Sequence, residues 1–283
     1  MAKRETKKLE FVVTIDKLEL LISKLTDLSA IDDFVVMKLN NEDTILYSAA
    51  YTGSNNGSRT KENILAFKNF IFKTEDVFTI NTKIDNEINF IIRETKKTIK
   101  NIRNFLDLGI DELIKCRLSY DELNGFQFGD SLMFKNSKLK LDFPGGSPID
   151  SDINISKDLI EKAATKSPIE VKFILTKDDY DKAKKMSYIE KDNEIIYFTI
   201  FENELRVGEN RWSLKLQDYQ YVDEIKDVND AIIDTKNLEL SASIHKKYFK
   251  TITCGDEGIN VDIYATHLLL NNNESTLLIS RQM

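Results

Sequence analysis

The stretch KFILTKDDYDKAKKMSYIEKDNEIIYFTIFENELRVGENRWSLKLQ, residues 172–217, sets out the order of elements from which the fold is read. Residues 169–175 (IEVKFIL) are rich in β-branched and aromatic side chains and predict a strand. Residues 177–187 (KDDYDKAKKMS) predict a helix that begins with an acidic first turn. Strands are expected next at 194–201, 204–207 and 211–217, the last two joined by the turn Gly208-Glu209-Asn210. The order is strand, helix, three strands.

Working outward, the first half opens in the same way. Residues 10–15 (EFVVTI) predict a strand, and Asp16 stands where an N-cap belongs, with Glu19 three residues on. Leu18, Leu21, Ile22, Leu25 and Leu28 recur at helical spacing, so 16–28 reads as an amphipathic helix. Strands are expected at 34–39, 44–51, 64–72 and 88–92, with GSNNGSRT (53–60) as a turn or loop. Residues 113–118, 126–128 and 131–143 also read as strands, and GFQFG (125–129) as a turn. In the second half 238–242 predicts a strand, and the chain closes with strands at 258–264, 266–271 and 276–279. Residues 144–168 hold all three prolines and a Gly pair but no aromatic residue, which marks a connector with a helical turn near 158–164. The predicted domains are therefore 1–145 and 169–283, with 146–168 between them. No residue-level repeat is visible; what repeats is the order of elements.

Charge adds a second signal. The chain carries a formal −7, yet TKKTIKNIRNFL (95–106) and SIHKKYFKTIT (243–253), both read as helices, contain no acidic residue. The first offers Lys96, Lys97, Lys100 and Arg103, the second Lys246, Lys247 and Lys250 beside His245. The helices opening each half add Lys17, Lys24, Lys182, Lys184 and Lys185, mixed with acids. A lysine-rich helix face is most often merely solvated. Two acid-free faces in an acidic chain point instead to a polyanion, through phosphate contacts that read no base sequence.

Other function classes find little support. At 283 residues with 41% hydrophobic and 31% charged residues, the chain has the composition of one large or two ordinary globular domains. No apolar run nears the roughly 18 residues that span a bilayer, and the basic start MAKRETKKLEF lacks the apolar stretch of a secretory signal. Cys116 and Cys254 lie outside any CxxC pattern, which suits a reducing cytoplasm. His245 and His267 form no HExxH or HxH arrangement, and no Gly-rich phosphate loop or nucleophile elbow occurs. The acidic pairs Asp32-Asp33, Asp178-Asp179 and Asp256-Glu257 fall at turns and helix starts, where carboxylates cap or solvate. No catalytic residue, metal or cofactor is expected, so the chain does not read as an enzyme.

Three segments carry a resemblance. Residues 172–220 look like the opening of a clamp domain, with strand, helix and three-stranded meander. IHKKYFKTITCGDEGINVDIYATHLLLNNNESTLLIS (244–280) looks like its ending, and NIRNFLDLGIDELIKCRLSYDELNGFQFGDSLMFKNSKLKLDF (101–143) like the corresponding part of the first half. The chain thus resembles DNA polymerase sliding clamps, especially those of tailed bacteriophages. Residues 73–86 and the acidic loop 221–234 depart from that pattern.

The resemblance implies an α+β fold of two DNA-clamp domains, each with antiparallel sheets outside and two helices on the inner face. It implies a head-to-tail homotrimer that encircles double-stranded DNA and tethers a DNA polymerase for processive synthesis, with a clamp loader as a further partner. The lysines named above, with Arg103, would face DNA. Leu132 and Phe134 would meet Trp212 and Leu214 of the next subunit, and Phe143, Pro144 and Ile149 would wall a pocket for partner peptides. Two other readings compete: a monomeric clamp-like processivity factor held by charge alone, and a β-rich viral interaction protein whose lysine faces are only solvated.

Overall fold

The computed structural model describes residues 6–51, 64–108, 112–123, 126–146, 160, 162, 167, 169–201, 204–216, 225–226, 232–233 and 240–282. The chain divides into two units, one of residues 1–49 and 69–154, the other of 50–68 and 155–283. Residues 50–68 thus group with the second half of the chain, an assignment that composition does not reveal.

In the first unit β1 (Lys7–Thr14) buries Leu9, Phe11 and Val13 and exposes Lys8 and Glu10, the period-two pattern of a strand with one covered face. It passes directly into α1 (Ile15–Ser29). Thr14, still extended, accepts a hydrogen bond at Oγ1 from the Lys17 amide (3.4 Å), so Thr14 is the N-cap and Asp16 lies in the first turn. Next come β2 (Phe34–Leu39), β3 (Asp43–Tyr51), β4 (Ile64–Lys73), α2 (Thr74–Val77), β5 (Thr79–Ile80) and β6 (Ile88–Arg93). The segment that departs from the clamp pattern at 73–86 thus holds α2 and β5. Helix α3 (Thr95–Leu108) is followed by β7 (Leu113–Leu123), β8 (Phe126–Lys135) and β9 (Lys140–Pro144). Within the unit the strands order as β3-β2-β6-β8-β7-β1-β5, with β9 beside β8.

Two sequence expectations fail around β8. Residues 131–143 are a hairpin, not one strand. Asn136 Oδ1 accepts from the amides of Lys138 (2.9 Å) and Leu139 (2.6 Å), and this side-chain turn reverses the chain without Gly or Pro. GFQFG is not a turn over 126–129, which belong to β8. A Cβ on Gly129 would stand 2.7 Å from Phe90 Cδ2 and 2.9 Å from Leu118 Cδ1, so packing on the strand face excludes a side chain there.

Leu18, Leu21, Ile22, Leu25 and Leu28 of α1, with Ile99, Ile102 and Phe105 of α3, pack into one core with the buried face of the sheet. Each such side chain contributes roughly 1.5–3 kcal/mol by leaving water. Both helices therefore lie against the same core, and their polar sides are left outward.

The second unit begins with β10 (Ile169–Leu175), α4 (Lys177–Met186), β11 (Ile195–Phe201), β12 (Glu204–Gly208) and β13 (Ser213–Lys215). The short pair β14 (Ile225–Lys226) and β15 (Ile232–Ile233) follows, then β16 (Leu240–His245), α5 (Lys246–Phe249), β17 (Ile259–Tyr264), β18 (His267–Asn271) and β19 (Ser275–Ser280). Its sheets run β13-β12-β11-β16 and β10-β17-β18-β19. The predicted helix at 243–253 is largely strand and turn. Leu240, Ala242 and Ile244 are buried alternately against β11, which carries β16 on to His245, and only one helical turn remains.

In chain order the motif strand-helix-three strands occurs four times, beginning at β1, β6, β10 and β16. Most of 144–168, with the predicted helical turn, and most of 221–234 lie outside the described residues, as does the GSNNGSRT segment.

Candidate nucleic-acid interface

Helix α3 is built so that its cations must face water. Thr95, Thr98, Ile99, Ile102 and Phe105 are buried, which leaves Lys96, Lys97, Lys100 and Arg103 exposed on the other side. The loop after α1 fixes its start: Asp33 accepts from the Lys96 amide (2.8 Å) at its carboxylate and from the Thr95 amide (3.3 Å) at its carbonyl. Lys97 pairs with Glu94 (2.8 Å), and this partner raises its ammonium above the ordinary lysine value. Lys100 and Arg103 form no ion pair among the described residues.

The lysines of α1 are placed otherwise. Lys17 Nζ donates to the carbonyl of Glu75 (3.2 Å), and half-buried Lys24 holds its ammonium 4.6 Å above the Phe70 ring. Neither stands free like Lys100. The open groove between α1 and α3 is lined instead by Glu19, Asp27, Arg103, Leu106 and Asp107. Asp107 lies one turn beyond the basic row, past the point where the sequence reading ended. Extending the spacing by four residues would have found it.

In the second unit α4 is capped by Thr176, whose hydroxyl oxygen accepts from the Asp179 amide (3.2 Å). Tyr180 Oη donates toward the carbonyls of Phe249 (3.2 Å) and Lys250 (3.3 Å), tying α4 to the end of α5. Lys182 is matched by Asp178 (2.5 Å) one turn earlier, as Lys177 is by Asp181 (3.0 Å). Lys184 lies 5.3 Å over the Tyr180 ring, and Lys185 is exposed. Exposed Lys247 sits 5.1 Å over Tyr248, and Lys250 sits 4.0 Å over Tyr188. Burial and the neighbouring cations Lys246 and Lys184 hold the Lys250 ammonium below the ordinary lysine value.

Lys246 corrects the sequence reading outright. It is buried, and its ammonium reaches the Glu209 carboxylate (2.9 Å) and the carbonyls of Ser187 (3.1 Å) and Glu190 (2.5 Å). It braces the fold and does not face solvent.

The proposed interface residues divide. Leu132 and Phe134 are buried in the first unit's core, on a strand already paired with β7 and β9, so neither offers an edge. Phe143 is buried as well, its ring 5.7 Å from that of Phe134, and with Leu132 and Phe134 it lines an internal apolar cavity of the first unit; Pro144 is exposed at the end of β9. Ile149 lies outside the described residues. Trp212 is buried, its Nε1 without a hydrogen-bond partner among the described residues, and Leu214 is half exposed on β13. Among the described strands β13 pairs only with β12. The opposite margin of that sheet is covered: Gln282 N donates to Ser243 O (2.8 Å) and Arg281 to Ser241 O (2.9 Å).

Among the described residues no group of three His, Cys, Asp or Glu side chains could hold a metal ion. Burial pushes the Cys254 thiol up to about 11 and Cys116 further still, which keeps both as poorly nucleophilic thiols. No helix among the described residues is long and apolar enough to cross a membrane.

The arrangement matches solved structures over almost its whole length. A Helicobacter pylori beta clamp bound to a DNA ligase peptide superposes with a TM-score of 0.57 at 13% identity, covering 97% of this chain and 66% of the other. A putative DNA polymerase III beta subunit from Eubacterium rectale gives 0.55 at 10% identity, with 97% and 65% covered. The DNA polymerase III beta chain from Streptococcus pneumoniae gives 0.55 at 11%, with the same coverage. The chain therefore has the sliding-clamp fold, a mixed α+β architecture dominated by sheet, and spans 65–66% of the length of these structures. No family model and no curated protein matches the sequence.

Proposed function

We propose that this chain is a DNA sliding clamp of the tailed-bacteriophage kind, which closes as a head-to-tail homotrimer around duplex DNA and tethers a replicative polymerase. The observation that carries the reading is α3. Lys96, Lys97, Lys100 and Arg103 are all exposed on one helix of an acidic chain whose fold is that of clamps. Lys185, Lys247 and Lys250 in the second unit supply a comparable cationic group.

The mechanism needs no reaction. Lysine and arginine contacts to phosphate have nearly the same energy at every register, so a duplex held by them slides. A closed ring converts weak contact into lasting association, because leaving requires an opening and not merely dissociation. A polymerase bound to the ring then stays at high effective concentration near its primer. A clamp loader would open the ring, and replication in the host cytoplasm would be its setting. The open margin at β13, with Leu214 on it, supports strand addition between subunits. The surface this strand meets on the next copy is not β8, whose neighbours are already in place.

Light scattering of the purified chain should give a trimer mass. Protein loaded on nicked circular DNA should remain through a salt challenge and leave once the circle is linearised. A stable monomer, or equal retention on both forms, overturns ring closure.

A further inference from the structure

We infer that Glu19 and Asp107 weaken the grip of α3 on DNA, so that this helix pair sets how loosely a duplex is held. The inference rests on the DNA reading above and concerns the groove between α1 and α3. Lys96, Lys100, Arg103 and Asp107 follow at i, i+4, i+7 and i+11, so one side of α3 carries three cations and ends in a carboxylate. Across the groove α1 presents Glu19. Of its lysines, Lys17 donates to the Glu75 carbonyl and Lys24 stands over the Phe70 ring. A phosphate drawn to Arg103 therefore meets two like charges in the same groove.

Fold stability gives no reason for this placement. Asp107 forms no ion pair among the described residues and sits in the last turn of α3, where the helix dipole disfavours a carboxylate. Sliding gives one, since deep attachment at one register would arrest movement.

The test uses the full chain and a fluorescently labelled duplex at low salt, read by anisotropy. Asp107→Asn should raise duplex affinity about threefold, and Glu19→Gln with Asp107→Asn about tenfold. Asp85→Asn, the same charge change at an exposed residue outside the groove, controls for net charge and should give less than Asp107→Asn. In keeping with this, Lys100→Gln should cost more affinity than Arg103→Gln. The inference fails if Asp107→Asn binds no tighter than Asp85→Asn, even though the wild-type chain holds duplex and the clamp reading stands. A wild-type chain that binds no duplex overturns both.

Discussion

The Lys246 ammonium lies 2.9 Å from the Glu209 carboxylate, with both side chains buried between the helical turn α5 and the hairpin that leads into β13. The two residues are distant in sequence, and the pair joins the turn bearing Lys247 and Lys250 to the sheet's open margin. Carbonyls of Ser187 and Glu190 complete the coordination, so the charge is matched and hydrogen-bonded. Removing one partner strands the other in a dry site. Glu209→Gln or Lys246→Met alone should cost about 3–5 kcal/mol of stability, while replacing both with Met should cost much less than the two losses added. Urea denaturation of the three variants measures this, and additive losses would refute the pairing.

The placement of the cations separates residues that the sequence grouped together. Lys100→Gln should weaken duplex binding and lower the slope of log affinity against log salt by about 0.9. Lys24→Gln should leave that slope unchanged, because its ammonium lies over Phe70. Equal effects from both would mean that α1 also contacts the phosphates.

Burial likewise distinguishes the apolar residues. Leu132→Ala and Phe134→Ala should each lower stability by about 2–5 kcal/mol through cavity formation in the first unit. Leu214→Asp, on the half-exposed edge strand, should leave the melting temperature of the monomer nearly unchanged and shift light scattering from trimer toward monomer. A trimer that survives Leu214→Asp would remove β13 from the interface.

Acid should act through His267. Burial holds its imidazole below the ordinary 6.5, so on acidification the unfolded chain takes the proton first. The neutral ring's contribution is complete above pH 6.5 and is lost as pH falls through the lower folded value. Thermal midpoints measured above and below that point should drop more for the wild type than for His267→Gln. Identical drops would show that other groups carry the acid sensitivity.

Much of the fold was legible because local pattern and tertiary demand agree. Thr95–Leu108 shows its apolar stripe and its cations at helical spacing, and the structure buries one and exposes the other. The misreadings have specific causes. Residues 243–253 have helix-like lysines, but Ala242 and Ile244 continue a strand alternation that pairing with β11 decides. Residues 131–143 have no Gly or Pro to mark a turn, because the Asn136 side chain makes it. Lys246 looked like its neighbours because Glu209 reaches it only through the fold. Glu19 and Asp107 lie far apart in sequence, and only the packing of α1 beside α3 brings them to one groove.

The asymmetry of the β13-β12-β11-β16 sheet has a practical consequence. With Arg281 and Gln282 laid along one flank, this sheet can recruit a neighbour from a single direction, and one engagement exhausts its capacity. Stacking copy upon copy through it, the route by which naked sheets turn into fibrils, stops after the first step.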